Sequence, residues 1–365
     1  MTGMGSGPRT EAWSGEAVVS PETTRAAQMA KVFGYIKGMH ATHLLDLGVR
    51  MGLFRRLAEA PGGLQPAALA ADRGLDAGYI RCWCETACAL ELLDYDPGAG
   101  YRLAPYMDEL LGRPDATFSL AGFPAAHLAV ARDYARYPEL FRGGGVQPYV
   151  EHDRAFLAAV AEATTTLPRM FCEVVLPTLP DLEASLAGGA TILDVGCGGG
   201  HALVTLAERF PGVRCVGVDV EPVSIEMARE LIGGRGLDDR VEARLIRPGE
   251  WPADLVDAFD LVTTFLVLHE IHPDLKAAVL ARCAQALKAD GKLLLFDERY
   301  PSGPGELREP TQTFAVIAQW FEVTWGNVLN TREEIAALLA GAGLAPVQET
   351  ALSRFYIVAA ARAQR

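Results

Sequence analysis

Three glycines at alternate positions, Gly196, Gly198 and Gly200, stand behind the carboxylate of Asp194 in the run Thr191-Ile-Leu-Asp-Val-Gly-Cys-Gly-Gly-Gly-His201. Glycine permits a sharp turn and lets main-chain N–H groups approach a ligand that a Cβ would hold off. The apolar residues before the loop suit a buried parallel strand, and Ala202 to Phe210 read as a helix whose positive N-terminal end points at the same spot. Strand, loop and helix together predict a seat for a nucleoside cofactor. The next apolar run, Arg214 to Asp219, ends in an acid 23 residues beyond Gly196, where a carboxylate can accept both ribose hydroxyls. A second set of reactive side chains lies further on. The run Phe259 to His272 carries His269, Glu270 and His272 at its end, and another strand ends in Phe296-Asp297-Glu298-Arg299-Tyr300. Two imidazoles with Asp297 or Glu298 form a ligand set that suits iron or zinc. Histidine also titrates near neutrality and can accept a proton.

Spacing separates the cofactor classes. A dinucleotide fingerprint would need glycine at 201, which is histidine, whereas Asp194-x-Gly196-x-Gly198-x-Gly200 resembles the loop of class I S-adenosylmethionine (SAM) methyltransferases. From Asp194 to about Arg362 the chain resembles the small-molecule O-methyltransferases of plants and bacteria, whose leucine-histidine-aspartate motif corresponds to Leu268-His269-Glu270. The resemblance implies SAM as cofactor and S-adenosylhomocysteine as product. It places Asp194, Gly196, Gly198 and Gly200 around the methionine portion, Asp219 on the ribose and Val220 at the adenine face, with Arg247 and Phe265 completing the cofactor set. His269 becomes the general base that takes a proton from a hydroxyl of an aromatic or natural-product-like acceptor, with Glu270 or Asp297 orienting its ring. A hydroxyl is a poor nucleophile until its proton leaves, and a placed base contributes about 10²- to 10⁴-fold.

Three features depart from the family pattern. The second acid that many plant members place before the last helix falls near Leu329, the acid expected after the third strand is missing from Leu245 to Glu250, and His272 is additional. Arg247 or the main chain would then serve the adenine. The extra histidine opens an alternative, since C-methyltransferases acting on 2-oxo acids resemble this family and use a bound metal; His269, His272 and Asp297 would hold Fe or Zn, and Lewis acidity would replace the base.

The segment Thr311 to Asn330 is rich in rings. Trp320, Phe321 and Trp325 with Asn327 read as a lid over an apolar acceptor, with Asn327 or Arg299 meeting its polar group. Phe156, Met170 and Phe171 would line the same pocket, and His272 faces it. Packing of a helical cap onto the sheet explains the rings as well.

The elements that position these groups alternate. Strands near 191–195, 213–218, 241–246, 259–265 and 291–297 interleave with helices near 201–209, 222–232 and 274–288, which means a parallel sheet with right-handed crossovers. A helix over Thr331 to Ala342 and two apolar segments, Pro346 to Leu352 and Phe355 to Ala361, would close it as an edge hairpin. The fold class is therefore α/β: a Rossmann-like, seven-stranded, mostly parallel sheet at 188–365, preceded by a mainly helical, winged-helix-like domain. That domain, 21–115, carries helical periodicity at Ala27 to Gly38, His43 to Glu59, Pro66 to Ala71 and Asp76 to Leu93, then a wing about Pro97-Gly98. Residues 116–187 form a helical linker or substrate cap, and 1–20 a disordered tail.

Composition narrows the partners. Among 365 residues, 33 Lys and Arg face 46 Asp and Glu for a net charge of −13, with no basic run to neutralise phosphates, so nucleic acid is excluded as partner. The candidate recognition helix at 76–93 is itself acidic, which favours a homodimerisation role for the N-terminal domain, as the resemblance also implies. No signal-peptide pattern and no uncharged membrane-length run point to a cytoplasmic protein. The 7 cysteines lack CxxC spacing, so neither disulfides nor a zinc cluster is indicated.

Overall fold

The computed structural model describes residue 18, residues 20–21, 23–247, 250–352 and 354–363. Of the expected tail, residues 1–17 and 19 lie outside the described residues. The chain divides into two compact units, Ser20–Arg132 with Glu162–Thr166, and a second unit comprising 133–161 and the chain from Leu167 onward.

The first unit is helical. Helices α1 (Arg25–Arg50), α2 (Leu53–Ala58), α3 (Pro66–Arg73) and α4 (Ala77–Ala89) precede a hairpin of β1 (Leu93–Asp96) and β2 (Gly100–Leu103), and α5 (Phe123–Val130) follows. Asp76 caps α4 by accepting the N–H groups of Gly78 and Tyr79. The core is apolar, with Phe54 and Trp83 edge to face at 5.2 Å, and the indole N–H of Trp83 donates to the Leu44 carbonyl. The two helices expected at 27–38 and 43–59 are not separated where the sequence suggested. Gly38 to Thr42 contains no proline, so α1 runs straight through, and the break falls at Gly52, whose φ of 66° ends the helix.

Helices α6 (Tyr137–Gly143), α7 (Arg154–Thr164), α8 (Thr166–Met170) and α9 (Pro180–Ala187) lead to the sheet. There β3 (Thr191–Val195), α10 (His201–Arg209), β4 (Arg214–Asp219), α11 (Pro222–Gly234), β5 (Val241–Leu245), β6 (Phe259–Phe265), α12 (Pro273–Ala286), β7 (Leu287–Glu298), α13 (Thr313–Glu322), α14 (Arg332–Gly341), β8 (Leu344–Leu352) and β9 (Phe355–Arg362) follow in chain order. The strands lie in the order β5-β4-β3-β6-β7-β9-β8, parallel except for β9, which runs antiparallel to both of its neighbours. The seven-stranded, mostly parallel sheet expected from the sequence is present. Strand β7 starts earlier than the periodicity indicated, because Leu287 already pairs with Phe259 before the register shifts.

Both faces of the sheet are covered, which explains why its strands are apolar without alternation. Ile192, Cys215, Leu261, Leu294 and Phe296 pack on one side, and Leu193, Val218, Val262, Leu293 and Leu295 on the other. Strand order reverses between β3 and β6, so the carboxyl ends of these two strands flank the crevice where such sheets bind ligands. Among the described residues, no helix is long and apolar enough to cross a membrane.

Candidate active site

The loop from β3 to α10 turns on glycine. Gly196 and Gly200 have φ of 73° and 81°, and a Cβ at Gly196 would sit 2.6 Å from a methyl of Val267. A Cβ at Gly198 would meet nothing within 4 Å, which leaves open space above the turn for a ligand. The loop is anchored to its neighbouring strand: the N–H groups of Gly196 and Cys197 both donate to the Val218 carbonyl. Asp194 lies beneath, 2% exposed, accepting from the Thr263 hydroxyl at 2.7 Å, and burial lifts its pKa to about 7. Asp219 accepts the Gly198 N–H at 2.8 Å and the Glu221 N–H at 3.0 Å. Its carboxylate keeps lone pairs for hydroxyl donors, and burial raises its pKa against those two bonds. Val220, next to it, is 48% exposed and offers an apolar side to a flat base.

Two proposed cofactor contacts look different in place. Arg247 is exposed and pairs with Glu250 at 3.7 Å, a surface ion pair at the end of β5. Phe265 packs between Phe171 and Phe296, at 6.1 and 5.6 Å between ring centres, so much of its ring serves the core.

The end of β6 leaves the sheet through strain. Leu266 has φ of 57°, held by its N–H bond to the Phe296 carbonyl, and this unfavourable backbone throws Val267 to Ile271 into a tight turn. The turn delivers His269, 4% exposed. Asp297, at the end of β7, grips it twice, bonding ring Nδ1 through one oxygen and the backbone N–H at 3.2 Å through the other. That fixes the ring's orientation and places its Nδ1 proton on the carboxylate side. Nε2 faces a second acid, Glu322 of α13, at 3.3 Å. Glu322 also accepts from the Asn327 amide, and the segment beyond α13 is tied back by the Val328 N–H to the His269 carbonyl. The buried ammonium of Lys276 holds the same segment, donating to the Val328 carbonyl and to Asn330 at 2.6 Å each.

Electrostatics follow from this geometry. Burial disfavours the His269 imidazolium, but Asp297, Glu322 and Glu270 outweigh it and bring the pKa up to about 10. Burial pushes Glu322 up to about 7, partly relieved by His269. Glu270, next in the turn, is exposed.

The metal alternative is not assembled. His272 is an exposed helix cap, its ring accepting the Asp274 N–H at 3.4 Å at the start of α12, and among the described residues no three His, Cys, Asp or Glu side chains group as a metal site. The helix cap is His272 itself, with Asp274 in the first turn. Leu329, where the family's second acid was sought, is buried and apolar; Glu322 supplies that acid from the preceding helix.

The expected substrate residues divide. Phe171 is fully buried in the core and Met170 packs against the same cluster, so they support the sheet rather than line a pocket. Phe156 stacks on His152 at 3.9 Å and meets Trp325 edge to face at 5.6 Å, with Phe321 at 5.6 Å from Trp325. Trp320 lies outside this nest, 48% exposed, against Tyr137 and Phe141. Arg299 pairs with Glu306 at 3.7 Å. Asn327 is spent on Glu322. Tyr149, which the sequence reading passed over, joins Phe156 and Trp325 at 5.9 and 5.6 Å. Glu322 had a legible signal, as the one acid inside the apolar run Phe314 to Phe321 and its continuation; Tyr149 had none.

Relatives agree with this architecture. Residues 193–293 match the profile of a methyltransferase domain. The chain is 34% identical to the mitomycin biosynthesis 6-O-methyltransferase of Streptomyces lavendulae over 158 residues, 43% of this chain and 42% of that protein. It is 31% identical over 159 residues to the aclacinomycin 10-hydroxylase of Streptomyces purpurascens, 43% of this chain and 40% of that protein. The matched stretch thus spans less than half of either relative. In three dimensions the chain superposes on human N-acetylserotonin methyltransferase in complex with SAM with a TM-score of 0.69 at 19% identity, covering 95% of this chain and 100% of that one. Residues 193–293 are therefore a methyltransferase domain, and the chain has the fold of the solved small-molecule methyltransferases.

Proposed function

We propose that this protein transfers a methyl group from SAM to a hydroxyl of a small aromatic or natural-product-like acceptor, with His269 as general base. The observation that carries the reading is the clamp on His269 by Asp297 and Glu322 at the end of β6, one strand away from the glycine loop and Asp219. The cradle fits the cofactor: glycine leaves space over the loop, and Asp219 retains acceptor capacity. When bound, SAM supplies an electrophilic methyl on a positively charged sulfur, which becomes the neutral sulfide of S-adenosylhomocysteine.

The chain's own residues handle the proton. Asp297 orients the imidazole and, with Glu322, stabilises the imidazolium that forms as the acceptor oxygen gives up its hydrogen and bonds the methyl carbon. A basicity near that of a phenolate suits this transfer. At neutrality the resting imidazole is mostly protonated, so the working fraction grows with pH.

Association as a homodimer through the first unit is part of the proposal. Along α1 the large apolar residues Met29, Val32, Phe33, Tyr35, Ile36 and Met39 are all exposed, an unusual surface for a solitary helix. Calorimetry with SAM and S-adenosylhomocysteine, followed by methyl-label transfer, tests the function: no heat with either removes the cofactor assignment. Binding without label reaching any acceptor removes the transfer, an outcome to which the similarity to a 10-hydroxylase gives weight.

A further inference from the structure

We propose that His152 is a positioning residue of the site: held as an imidazolium by Asp133, it latches Trp325 and so fixes the segment that bonds His269 and Glu322. Its part in catalysis rests on the methyltransferase reading; the latch itself rests on hydrogen bonding.

His152 stands before α7 with its side chain 5% exposed, and both ring nitrogens face acceptors. Nδ1 lies 2.9 Å from the Tyr149 carbonyl, which has no hydrogen to give, so Nδ1 donates. Nε2 lies 3.0 Å from Oδ2 of Asp133, and that same oxygen accepts the Trp325 indole N–H at 3.0 Å. A carboxylate oxygen has lone pairs for two such donors, whereas a protonated carboxyl oxygen would spend itself on one partner as a donor and accept the other only weakly. Nε2 therefore donates as well, and a histidine that donates from both nitrogens is charged. Asp133 matches the charge. The ring stacks on Phe156 at 3.9 Å and 20°, and an aromatic face favours a cation laid over it.

The ionisable groups around the pair are committed to other partners. Asp153 accepts the Phe156 N–H, Arg154 pairs with Glu230 at 2.6 Å, Arg136 is bonded to Gln147, and the Tyr137 hydroxyl donates to the Trp320 carbonyl. Tyr149 turns its ring to the imidazole at 6.1 Å, and Glu322 on α13 faces His269.

Trp325 carries the latch to the catalytic turn. Gly326 reverses the chain at a φ of 88°, the Asn327 amide donates to Glu322 at 3.3 Å, and the Val328 N–H donates to the His269 carbonyl at 3.2 Å. Two further ties from the 133–156 stretch, the Gln147 N–H to the Thr324 carbonyl and Tyr137 to Trp320, are neutral. The latch, unlike these, needs a proton. When that proton leaves, the Nε2 lone pair meets Oδ2 and the contact becomes repulsive, so the latch opens as pH rises.

Nitrogen-15 NMR of the full chain, free and with S-adenosylhomocysteine, tests this without an acceptor. His152, assigned by the loss of its signal in His152→Gln, should carry protons on both nitrogens at pH 6.5. Asp133→Asn keeps the shape and removes the counter-charge; it should speed exchange of the Val328 amide at least about tenfold, after correction for intrinsic rates, and displace the His269 ring signal. Trp325→Phe keeps the ring and removes the indole donor, and should speed the same amide while His152 stays doubly protonated. In wild type from pH 6 to 9.5, corrected exchange at Val328 should change only together with the His152 ring. A neutral His152 at pH 6.5, wild-type Val328 exchange and His269 signal in Asp133→Asn, or Val328 exchange that changes independently of His152 overturns the proposal. Should Asp133→Asn fail to fold, Trp325→Phe and the wild-type pH course decide. Failure of S-adenosylhomocysteine to bind removes the methyltransferase reading instead, and the signals of the free protein still decide the latch.

Discussion

His269 and Glu322 lie 3.3 Å apart, Nε2 to Oε2, although 53 positions separate them and they belong to different layers of the fold. One stands on a turn at the carboxyl end of the central strand β6, the other on the helix that covers it. In the mechanism proposed above, the contact makes the covering helix part of the proton machinery and not only packing.

Replacing His269 by Asn should lower kcat about 10²- to 10⁴-fold with little change in cofactor affinity. Asp297→Asn should approach that loss, because the neutral amide no longer supports the imidazolium and loosens the ring. Activity within tenfold of wild type in His269→Asn would leave alignment alone to drive the reaction.

Glu322 is expected to act through the pH profile. Since Asp297, Glu322 and Glu270 together hold His269 well above the ordinary histidine value, kcat/KM should climb through pH 7 to 9 without levelling near 6.5. In Glu322→Gln one of those supports is gone, and the rising limb should move to lower pH while kcat at its plateau falls. Coincident profiles for the two proteins would show that Glu322 does not reach the imidazole in solution.

The cofactor seat gives a sharper contrast. Asp219→Ala should raise the Kd for SAM at least about 30-fold, corresponding to roughly 2 kcal/mol for a charge-assisted pair of bonds. Gly196→Ala places a methyl against Val267 at a positive φ, so it should combine weaker SAM binding with a stability loss of about 1–3 kcal/mol. Wild-type calorimetry and melting in Gly196→Ala would mean that the loop is not packed against the turn before His269.

How much of this was legible before any coordinates depended on whether a signal was local. The loop at 194–200, the acid at 219 and the alternation of strands and helices are written in consecutive residues, and the sheet follows from them. The histidine at 269 and its partner at 297 come from strand ends, whose positions a parallel sheet predicts. Glu322 was missed because the acid that ends the apolar run Phe314 to Phe321 is turned toward His269 only by tertiary packing, and Tyr149, in the segment before α7, carries no local pattern. His272 misled for the opposite reason: three residues from His269 in sequence, it sits past a tight turn begun by the strained Leu266 and faces the surface. Phe171 and Met170 looked like pocket lining because a buried ring on a helix reads the same whether it meets ligand or core.

Lys276→Met tests the tie between the catalytic turn and the covering segment. The lysine is 2% exposed and its ammonium satisfies the Val328 carbonyl and Asn330. Leaving that carbonyl unpaired should cost about 1–3 kcal/mol, and the thermal midpoint should fall by several degrees. Because Val328 also bonds the His269 carbonyl, kcat should drop more than KM rises. A variant as stable and as active as wild type would show that segment 327–330 holds itself in place.

Above about pH 6.5 stability should depend on pH in one direction. The buried groups Asp194 and Glu322 have folded pKa values raised to about 7 each, and His269 to about 10. Each lies above its unfolded counterpart near 4 or 6.5, so between those limits the folded chain binds more protons than the unfolded one, and linkage makes stability decline as pH rises. The carboxyl contributions fade between about pH 4 and 7, and that of His269 between about 6.5 and 10. Carboxyls held low by arginine, hydroxyl or backbone partners, such as Asp254, Glu333 and Glu349, act in the opposite sense below about pH 4.5, and His201, whose pKa burial lowers to about 4, does so up to about pH 6.5. The melting temperature of the ligand-free protein should therefore fall steadily from pH 6.5 to 9. Glu322→Gln should flatten the part below about pH 7, and saturating SAM should do the same for wild type, since a bound cation relieves the carboxylates that deprotonation leaves exposed to one another. A midpoint that rises between pH 6.5 and 9 would mean that these acids find counter-charges in solution that their packing does not provide.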